Sequence, residues 1–177
     1  MTLITGGAKC GKSALAESLL DAAPHKLYIA TMIPGGQEAH EAIARHRRIR
    51  SGKGFETLEL YTDLVKVHAE GKSVLLECLG NLCANELFRE DTARRRADET
   101  ASAVTSGLAI LRAQARELVI VTNQVGADGC TYGEGTMEYI RLLGQVNQEA
   151  ADMADRVIEC VYGIPVILKE KERGEAP

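Results

Sequence analysis

The sequence predicts an α/β fold in which a mostly parallel sheet is covered by helices on both faces. Short apolar runs rich in Val, Ile and Leu alternate with longer helix-forming segments, which is the pattern of strand-helix-strand units. The first apolar run leads directly into a glycine-rich loop and a helix start. No repeat or change of composition divides the chain, so we expect a single domain over residues 1–177 with a frayed tail over residues 169–177.

Each element is predicted from its periodicity and from the residues that end it. Continuous apolar or alternating runs bounded by Gly, Pro or charged residues are predicted as strands, at residues 2–5, 26–31, 55–60, 72–77, 117–123, 156–161 and 165–168. Runs of helix formers with apolar residues at helical spacing are predicted as helices, at residues 14–20, 37–50, 64–69, 81–88, 92–115 and 136–153. Residues 126–135 contain four glycines and are predicted as a loop.

Composition excludes several classes of protein. A 45% hydrophobic and 26% charged chain of net charge −4 is typical of an ordinary soluble globular protein and argues against non-specific nucleic-acid binding. Five cysteines without a C-x-x-C pair support neither a zinc site nor a disulfide framework. Met1 leads straight into the first strand, and no apolar run approaches membrane-spanning length, so we expect a cytoplasmic protein without a signal peptide or membrane segment.

The loop after the first strand matches the whole G-x-x-x-x-G-K-[ST] pattern of a P-loop. In this motif backbone amides at a helix N-terminus cradle phosphates, and the glycines allow the chain to curl closely around them. Lys12 would reach the β- and γ-phosphate oxygens as a catalytic residue, and Ser13 would hold Mg²⁺. The phosphate-binding residues are then Gly6, Gly7, Ala8, Lys9, Cys10, Gly11, Lys12 and Ser13. A glycine loop formed by chance is the alternative, which the complete motif and its flanks disfavour.

The ends of the other strands supply further candidates. Ligands of such sheets bind beyond the carboxyl ends of the strands, so residues 31–36, Glu77 and residues 123–126 should gather beside the P-loop. Glu77 ends an apolar strand, where P-loop proteins place a carboxylate that helps to hold Mg²⁺; a strand-end charge that only meets solvent is the alternative. Glu59 could accept hydrogen bonds from the amide and amine edge of guanine.

His46 is the candidate nucleophile. It lies among four arginines, Arg45, Arg47, Arg48 and Arg50, whose positive charge disfavours protonation of the imidazole. The same arginines could neutralise the phosphates of a nucleotide under attack. A neutral histidine attacking an α-phosphate would form a covalent nucleotidyl-histidine and release pyrophosphate. A surface histidine in an anion-binding helix is the alternative, and the residues alone leave both open.

An ordered set of motifs runs along nearly the whole chain: LITGGAKCGKS (3–13), LYIAT (27–31), IARHR (43–47) with Arg50, TLE (57–59), LLECL (75–79), VTNQVG (121–126), GQVNQ (144–148), Ala154-Asp155 and GIPVILK (163–169). Together these motifs resemble a known family, the bifunctional adenosylcobinamide kinase/adenosylcobinamide-phosphate guanylyltransferases of cobalamin biosynthesis. Of these, only the P-loop would be specific by itself.

The resemblance implies a RecA-like P-loop fold, a homotrimer, Mg²⁺ as cofactor and GTP as nucleotide, with ATP possible for the kinase step. It implies a corrinoid substrate whose aminopropanol hydroxyl is phosphorylated and whose phosphate then receives GMP from a guanylyl-histidine. His46 matches the guanylylated histidine. The positions that match nucleotide contacts of the family are residues 6–13, Thr31, Met32, Ile33, Arg47, Arg48, Ile49, Arg50, Glu59 and Glu77.

The chain also departs from the family pattern. Gln124 stands where the family usually has an acid, Ser51 where it has proline, and Phe55 where it has tryptophan. Residues 128–132 and 139–141 differ as well, on elements that could hold the acceptor or form subunit contacts. Two other functions therefore stay open, a P-loop kinase for a different hydroxyl substrate in which His46 only binds phosphate, and a nucleotide-binding module that has lost its catalytic acid.

Overall fold

The computed structural model describes residues 1–35, 52–89, 96–126 and 128–171. Their strands are β1 (Thr2–Thr5), β2 (Lys26–Ala30), β3 (Phe55–Glu59), β4 (Ser73–Glu77), β5 (Glu117–Val121), β6 (Arg156–Val161) and β7 (Ile164–Glu170). Their α-helices are α1 (Lys12–Ser18), α2 (Leu79–Leu87), α3 (Ala97–Gln114) and α4 (Glu134–Met153), with a single 3₁₀ turn at Leu64–Lys66.

The seven strands form one sheet in the order β3-β2-β4-β5-β1-β6-β7. All neighbouring pairs are parallel except β6 and β7, which form a hairpin. Side chains of the central strands alternate between two cores, as the period of two in a strand requires: Leu3 faces the core formed with α2, α3 and α4, whereas Ile4 faces the core formed with α1. The prediction of a mostly parallel sheet with helices on both faces is confirmed.

Several predicted boundaries need correction. Strand β7 runs through Glu170, and the Lys169 ammonium donates to the carbonyls of Ala151 and Asp152 at 2.8 and 3.1 Å. The predicted fraying from residue 169 is therefore wrong for residues 169 and 170, because pairing with β6 and these bonds fix them. Helix α4 begins at Glu134, inside the predicted loop. The predicted helix over residues 37–50 lies outside the described residues.

The sequence predicts a short helix over residues 64–69 that is capped by Thr62 and Asp63, but the structure has only the 3₁₀ turn, and the Asp63 side chain makes no cap hydrogen bond. Asp63 has a left-handed backbone (φ 58°), and its amide donates to Glu86 Oε1 at 2.5 Å. Its carboxylate instead accepts from Arg89 and from Lys66, each at 2.9 Å. Asp63, Glu86 and Arg89 thus form an ion-pair cluster that ties the turn to α2.

This cluster predicts a pH-dependent contribution to stability. The hydrogen bond from Arg89, and then that from Lys66, lowers the pKa of Asp63. Because this folded-state pKa lies below the unfolded one, the stabilisation is fully present above the unfolded pKa of about 3.9 and is lost as pH falls through the folded pKa. We expect Asp63→Asn to lower the free energy of unfolding by about 1 kcal/mol at pH 7, as typical of a partly exposed ion pair.

Urea unfolding of the wild type and of Asp63→Asn between pH 7 and pH 3 measures this contribution. Asparagine tolerates the left-handed backbone, so the substitution removes the charge without adding strain. The difference between the two proteins should shrink below pH 4. A difference that stays constant down to pH 3 would contradict the assignment.

Candidate active site

The P-loop joins β1 to α1 at the carboxyl edge of the sheet, and its glycines are needed for steric reasons. Gly6 has φ 143°, and a Cβ at this position would lie 2.5 Å from the carbonyl oxygen of Cys160 in β6. Gly11 has φ 100°, where an L side chain is also strained. These two positions let the loop pack closely against β6 and then turn into α1.

Lys12 lies folded into the centre of this loop. Its side chain is 6% exposed, and its Nζ donates to the carbonyls of Gly6 at 3.0 Å and Gly7 at 2.6 Å. The ammonium is a compact charge with three donors, so it can exchange carbonyl oxygens for phosphate oxygens of a nucleotide. The structure thus places the catalytic lysine predicted from the motif where a phosphate would lie.

Ser13 and Glu77 meet at the start of α1. Ser13 Oγ donates to Glu77 Oε1, and Tyr28 OH donates to Glu77 Oε2 at 2.7 Å. The contact brings together one hydroxyl and one carboxylate oxygen, the hard donors that Mg²⁺ prefers. The pair predicted as magnesium ligands therefore fits that ion in its donor chemistry and in its position beside the P-loop.

A cavity of about 590 Å³ opens over this arrangement, which is within the usual range for small-molecule sites. Its wall is formed by the P-loop and by the carboxyl ends of β2, β3, β4 and β5. The residues around it are Ala8, Lys9, Cys10, Gly11, Lys12, Ser13, Ala14, Tyr28, Ala30, Met32, Glu59, Glu77, Cys78, Asn81, Val121 and Asn123. Most of the predicted nucleotide contacts within the described chain thus share one cavity.

Four predicted contacts are not part of this wall: Gly6 and Gly7 at the start of the P-loop, and Thr31 and Ile33 after β2. Thr31 is fully buried, and its Oγ1 accepts from Cys78 N at 2.7 Å and donates to Cys78 O at 2.8 Å, so it joins β2 to β4 beneath the cavity. Ile33 is 52% exposed and is not part of the cavity wall. Met32, between them, does line the cavity.

The comparison with known proteins supplies the family. A family model described as cobinamide kinase / cobinamide phosphate guanyltransferase matches residues 2–168. The chain belongs to this family. It is 33% identical over 181 residues to the bifunctional adenosylcobalamin biosynthesis protein CobU of Escherichia coli K12, covering 96% of this chain and 99% of that protein.

Two further relatives agree with this assignment. The CobU protein of Salmonella typhimurium LT2 is 32% identical, with coverage of 96% of this chain and 99% of its own length. The bifunctional adenosylcobalamin biosynthesis protein CobP of Pseudomonas aeruginosa is 34% identical over 174 residues, with coverage of 94% and 96%. As a member of the cobinamide kinase and guanyltransferase family, the chain is an enzyme, which confirms that prediction from sequence.

For this family member, five of the predicted site residues lie outside the described part of the chain. They are His46, Arg47, Arg48, Ile49 and Arg50. The candidate nucleophile His46 and the arginines next to it therefore remain predictions from the sequence. Among the described helices, none is long and apolar enough to cross a membrane.

Sequence reasoning missed three side chains with a hydroxyl, thiol or amide group that line the cavity of this family member, Tyr28, Cys78 and Asn81. Tyr28 lies in the middle of β2, where the sequence pattern predicts that an aromatic residue belongs to the core. Its hydroxyl contacts Glu77 because β2 and β4 are neighbours in the sheet, which the sequence does not show. Asn81 and Cys78 lie at the start of α2, where Cys78 Sγ accepts from Asn81 N at 3.3 Å. Burial raises the pKa of the Cys78 thiol, so this thiol stays protonated and is not a nucleophile at neutral pH.

Proposed function

We propose that this protein phosphorylates adenosylcobinamide with GTP and then transfers GMP to the resulting phosphate through a guanylyl-His46 intermediate. The observation that carries the proposal is the convergence of Lys12, Ser13 and Glu77 at one cavity. Membership of the cobinamide kinase / cobinamide phosphate guanyltransferase family supports the substrates. The names of the three relatives support a place in adenosylcobalamin biosynthesis.

Different residues of the chain bind the phosphates, the metal ion and the base of the nucleotide. The amides of the P-loop and the N-terminus of α1 hold the phosphates, and the buried Lys12 ammonium neutralises them in a site of low dielectric. Ser13 and Glu77 would hold Mg²⁺, which supplies further neutralisation of phosphate charge. Glu59 lines the cavity at the end of β3. Its carboxylate suits the paired N–H donors of guanine, which adenine lacks, and this supports GTP as the nucleotide.

In the kinase step, the substrate hydroxyl oxygen forms a bond to the γ-phosphorus of GTP. The bond from that phosphorus to the β–γ bridging oxygen breaks, GDP leaves, and the hydroxyl proton passes to solvent. Lys12 stabilises charge on the transferring group because its ammonium lies at the centre of the loop.

In the nucleotidyl step, a ring nitrogen of His46 forms a bond to the α-phosphorus of a second GTP, pyrophosphate leaves and one proton is released. A phosphate oxygen of adenosylcobinamide phosphate then attacks the same phosphorus, the phosphorus–nitrogen bond breaks, and the imidazole takes up one proton from solvent, which regenerates the neutral histidine. The arginines around His46 keep the imidazole neutral before attack. A homotrimer and a cytoplasmic location remain predictions from the resemblance and the sequence.

The test is the intact mass of the purified protein after incubation with Mg²⁺ and GTP in the absence of acceptor. We expect a single GMP adduct, mapped to the peptide containing His46 under neutral to basic conditions because phosphoramidates are labile in acid. Addition of adenosylcobinamide phosphate should remove the adduct and release adenosyl-GDP-cobinamide. GTP binding without any adduct would overturn the proposed intermediate.

A further inference from the structure

A second cavity, of about 270 Å³, lies between the loop after β5 and the middle of α4. Its wall is formed by residues 123–126 and by four residues on one face of the helix, Ile140, Leu143, Gly144 and Asn147. Nothing in the nucleotide-binding arrangement accounts for it. Pockets that enclose a whole drug-sized ligand usually have about 300–1,000 Å³, so this cavity suits a small ligand or one arm of a larger one.

The second cavity adjoins the phosphate end of the first. Asn123 lines both cavities. The carbonyl of Gly6 accepts from Lys12 Nζ at 3.0 Å and from the amide of Gln124 at 3.4 Å, so this loop is tied to the P-loop at the catalytic lysine. A group held in the second cavity therefore lies next to where the γ-phosphate would be, as a phosphoryl acceptor must.

The wall of this cavity is amphipathic, and the described residues that form it include no charged side chain. Val125, Ile140 and Leu143 provide apolar surface, whereas Asn123, Gln124 and Asn147 provide amides. A wall of this kind favours an uncharged ligand that carries both methyl or methylene groups and amide or hydroxyl groups.

The side-chain amides of the wall differ in the hydrogen bonds that they already make. Asn147 Oδ1 accepts from the buried Thr122 hydroxyl at 2.6 Å, and Gln124 Nε2 donates to Glu159 at 2.9 Å. Asn123 Nδ2 donates to the thiol sulfur of Cys78 at 3.6 Å, and sulfur is a weak acceptor. A ligand oxygen would be a better partner for Asn123, the residue that faces both cavities.

We propose that the second cavity binds the aminopropanol arm of the corrinoid acceptor, a neutral amido alcohol, and that Asn123 donates a hydrogen bond to it. The macrocycle, too large for this cavity, stays outside over the exposed side of α4. This inference rests on the proposed function, because the acceptor identity comes from there. It assigns the residues that position the acceptor hydroxyl against the γ-phosphate.

The experiment uses Gly144→Leu. A Cβ built on Gly144 meets no atom within 4 Å, and Gly144 lies within α4, where leucine is a better helix former. The new side chain should therefore occupy the cavity without disturbing the fold. We expect KM for adenosylcobinamide to rise by at least tenfold, while KM for GTP and the GMP adduct on His46 stay at wild-type levels.

Gln145→Leu is the matched control, since it places the same side chain on the next, exposed residue of the helix, outside the cavity wall. Its KM for adenosylcobinamide should stay within twofold of wild type. An equally small change in Gly144→Leu would overturn the inference. Absence of the GMP adduct from the wild type would instead contradict the proposed function, so failure of this inference and failure of the proposed function are distinguishable.

If Gly144→Leu fails to fold, hydrogen exchange of the wild type tests whether the second cavity binds the acceptor. Saturating adenosylcobinamide should slow amide exchange in peptides that cover residues 122–126 and 140–147, in the absence of nucleotide. Binding of adenosylcobinamide with no protection in either segment would place the acceptor elsewhere and overturn the inference.

Discussion

Substitution of His46 by alanine is expected to abolish the GMP adduct and to lower the rate of GMP transfer to adenosylcobinamide phosphate by at least about 10³-fold. Removing a covalent nucleophile removes the whole pathway through the intermediate, and no neighbouring arginine can replace it because guanidinium stays protonated. Phosphorylation of adenosylcobinamide should continue, since that step uses the P-loop. The substitution of one residue would then abolish GMP transfer and leave the kinase step.

The measurement is intact mass after incubation with Mg²⁺ and GTP, together with separate assays of the kinase and guanylyltransferase steps. His68→Ala is the matched control, because His68 is an exposed histidine outside the cavity wall. An undiminished adduct in His46→Ala would show that another residue is the nucleophile. Loss of both half-reactions in a folded His46→Ala protein would favour a phosphate-binding role for His46.

Substitution of Lys12 by alanine is expected to lower kcat/KM of both half-reactions by about 10²–10³-fold, the cost typical of removing one preorganised charge stabiliser. The buried ammonium is already directed at the centre of the P-loop by the carbonyls of Gly6 and Gly7. Lys9 also borders the cavity but is exposed, so it does not present a buried ammonium to the loop. Formation of the GMP adduct on His46 should slow by a similar factor.

Steady-state kinetics and a thermal melt of the same preparation test this expectation. The melt is needed because alanine leaves two backbone carbonyls without their lysine partner, at a cost of about 1 kcal/mol. Lys72→Ala is the control, since Lys72 pairs with Glu56 near the opposite, amino-terminal edge of the sheet. A kcat/KM within twofold of wild type in folded Lys12→Ala would exclude the P-loop lysine from catalysis.

Local pattern was sufficient for most of the fold. All seven strands of the described residues lie within two residues of the bounds predicted from apolar runs, because a buried strand needs continuous apolar residues and ends where Gly, Pro or a charge appears. Strand β7 is longer than its apolar run, since Lys169 and Glu170 are fixed by pairing with β6. The local propensity of these two residues cannot predict that pairing.

The helix at residues 64–69 shows a second limit of local reasoning. Thr62 and Asp63 have the sequence context of a helix cap, but Arg89, just after α2, binds the Asp63 carboxylate, and Glu86 of α2 accepts from its amide. A helix this short is marginal by itself, and the segment keeps only a 3₁₀ turn where these tertiary contacts hold Asp63. Residues distant in sequence decided this element.

The sequence by itself determined the P-loop, the strand-end carboxylate Glu77 and the family, because each depends on residue types at fixed spacings. Only the tertiary structure decided which side chains complete the site. Strand order places Tyr28 against Glu77, and the packing of α4 against the loop after β5 creates a second cavity that shares Asn123 with the first. The physical reason is that spacing along the chain fixes local geometry, whereas contacts between strands and helices depend on how the whole core packs.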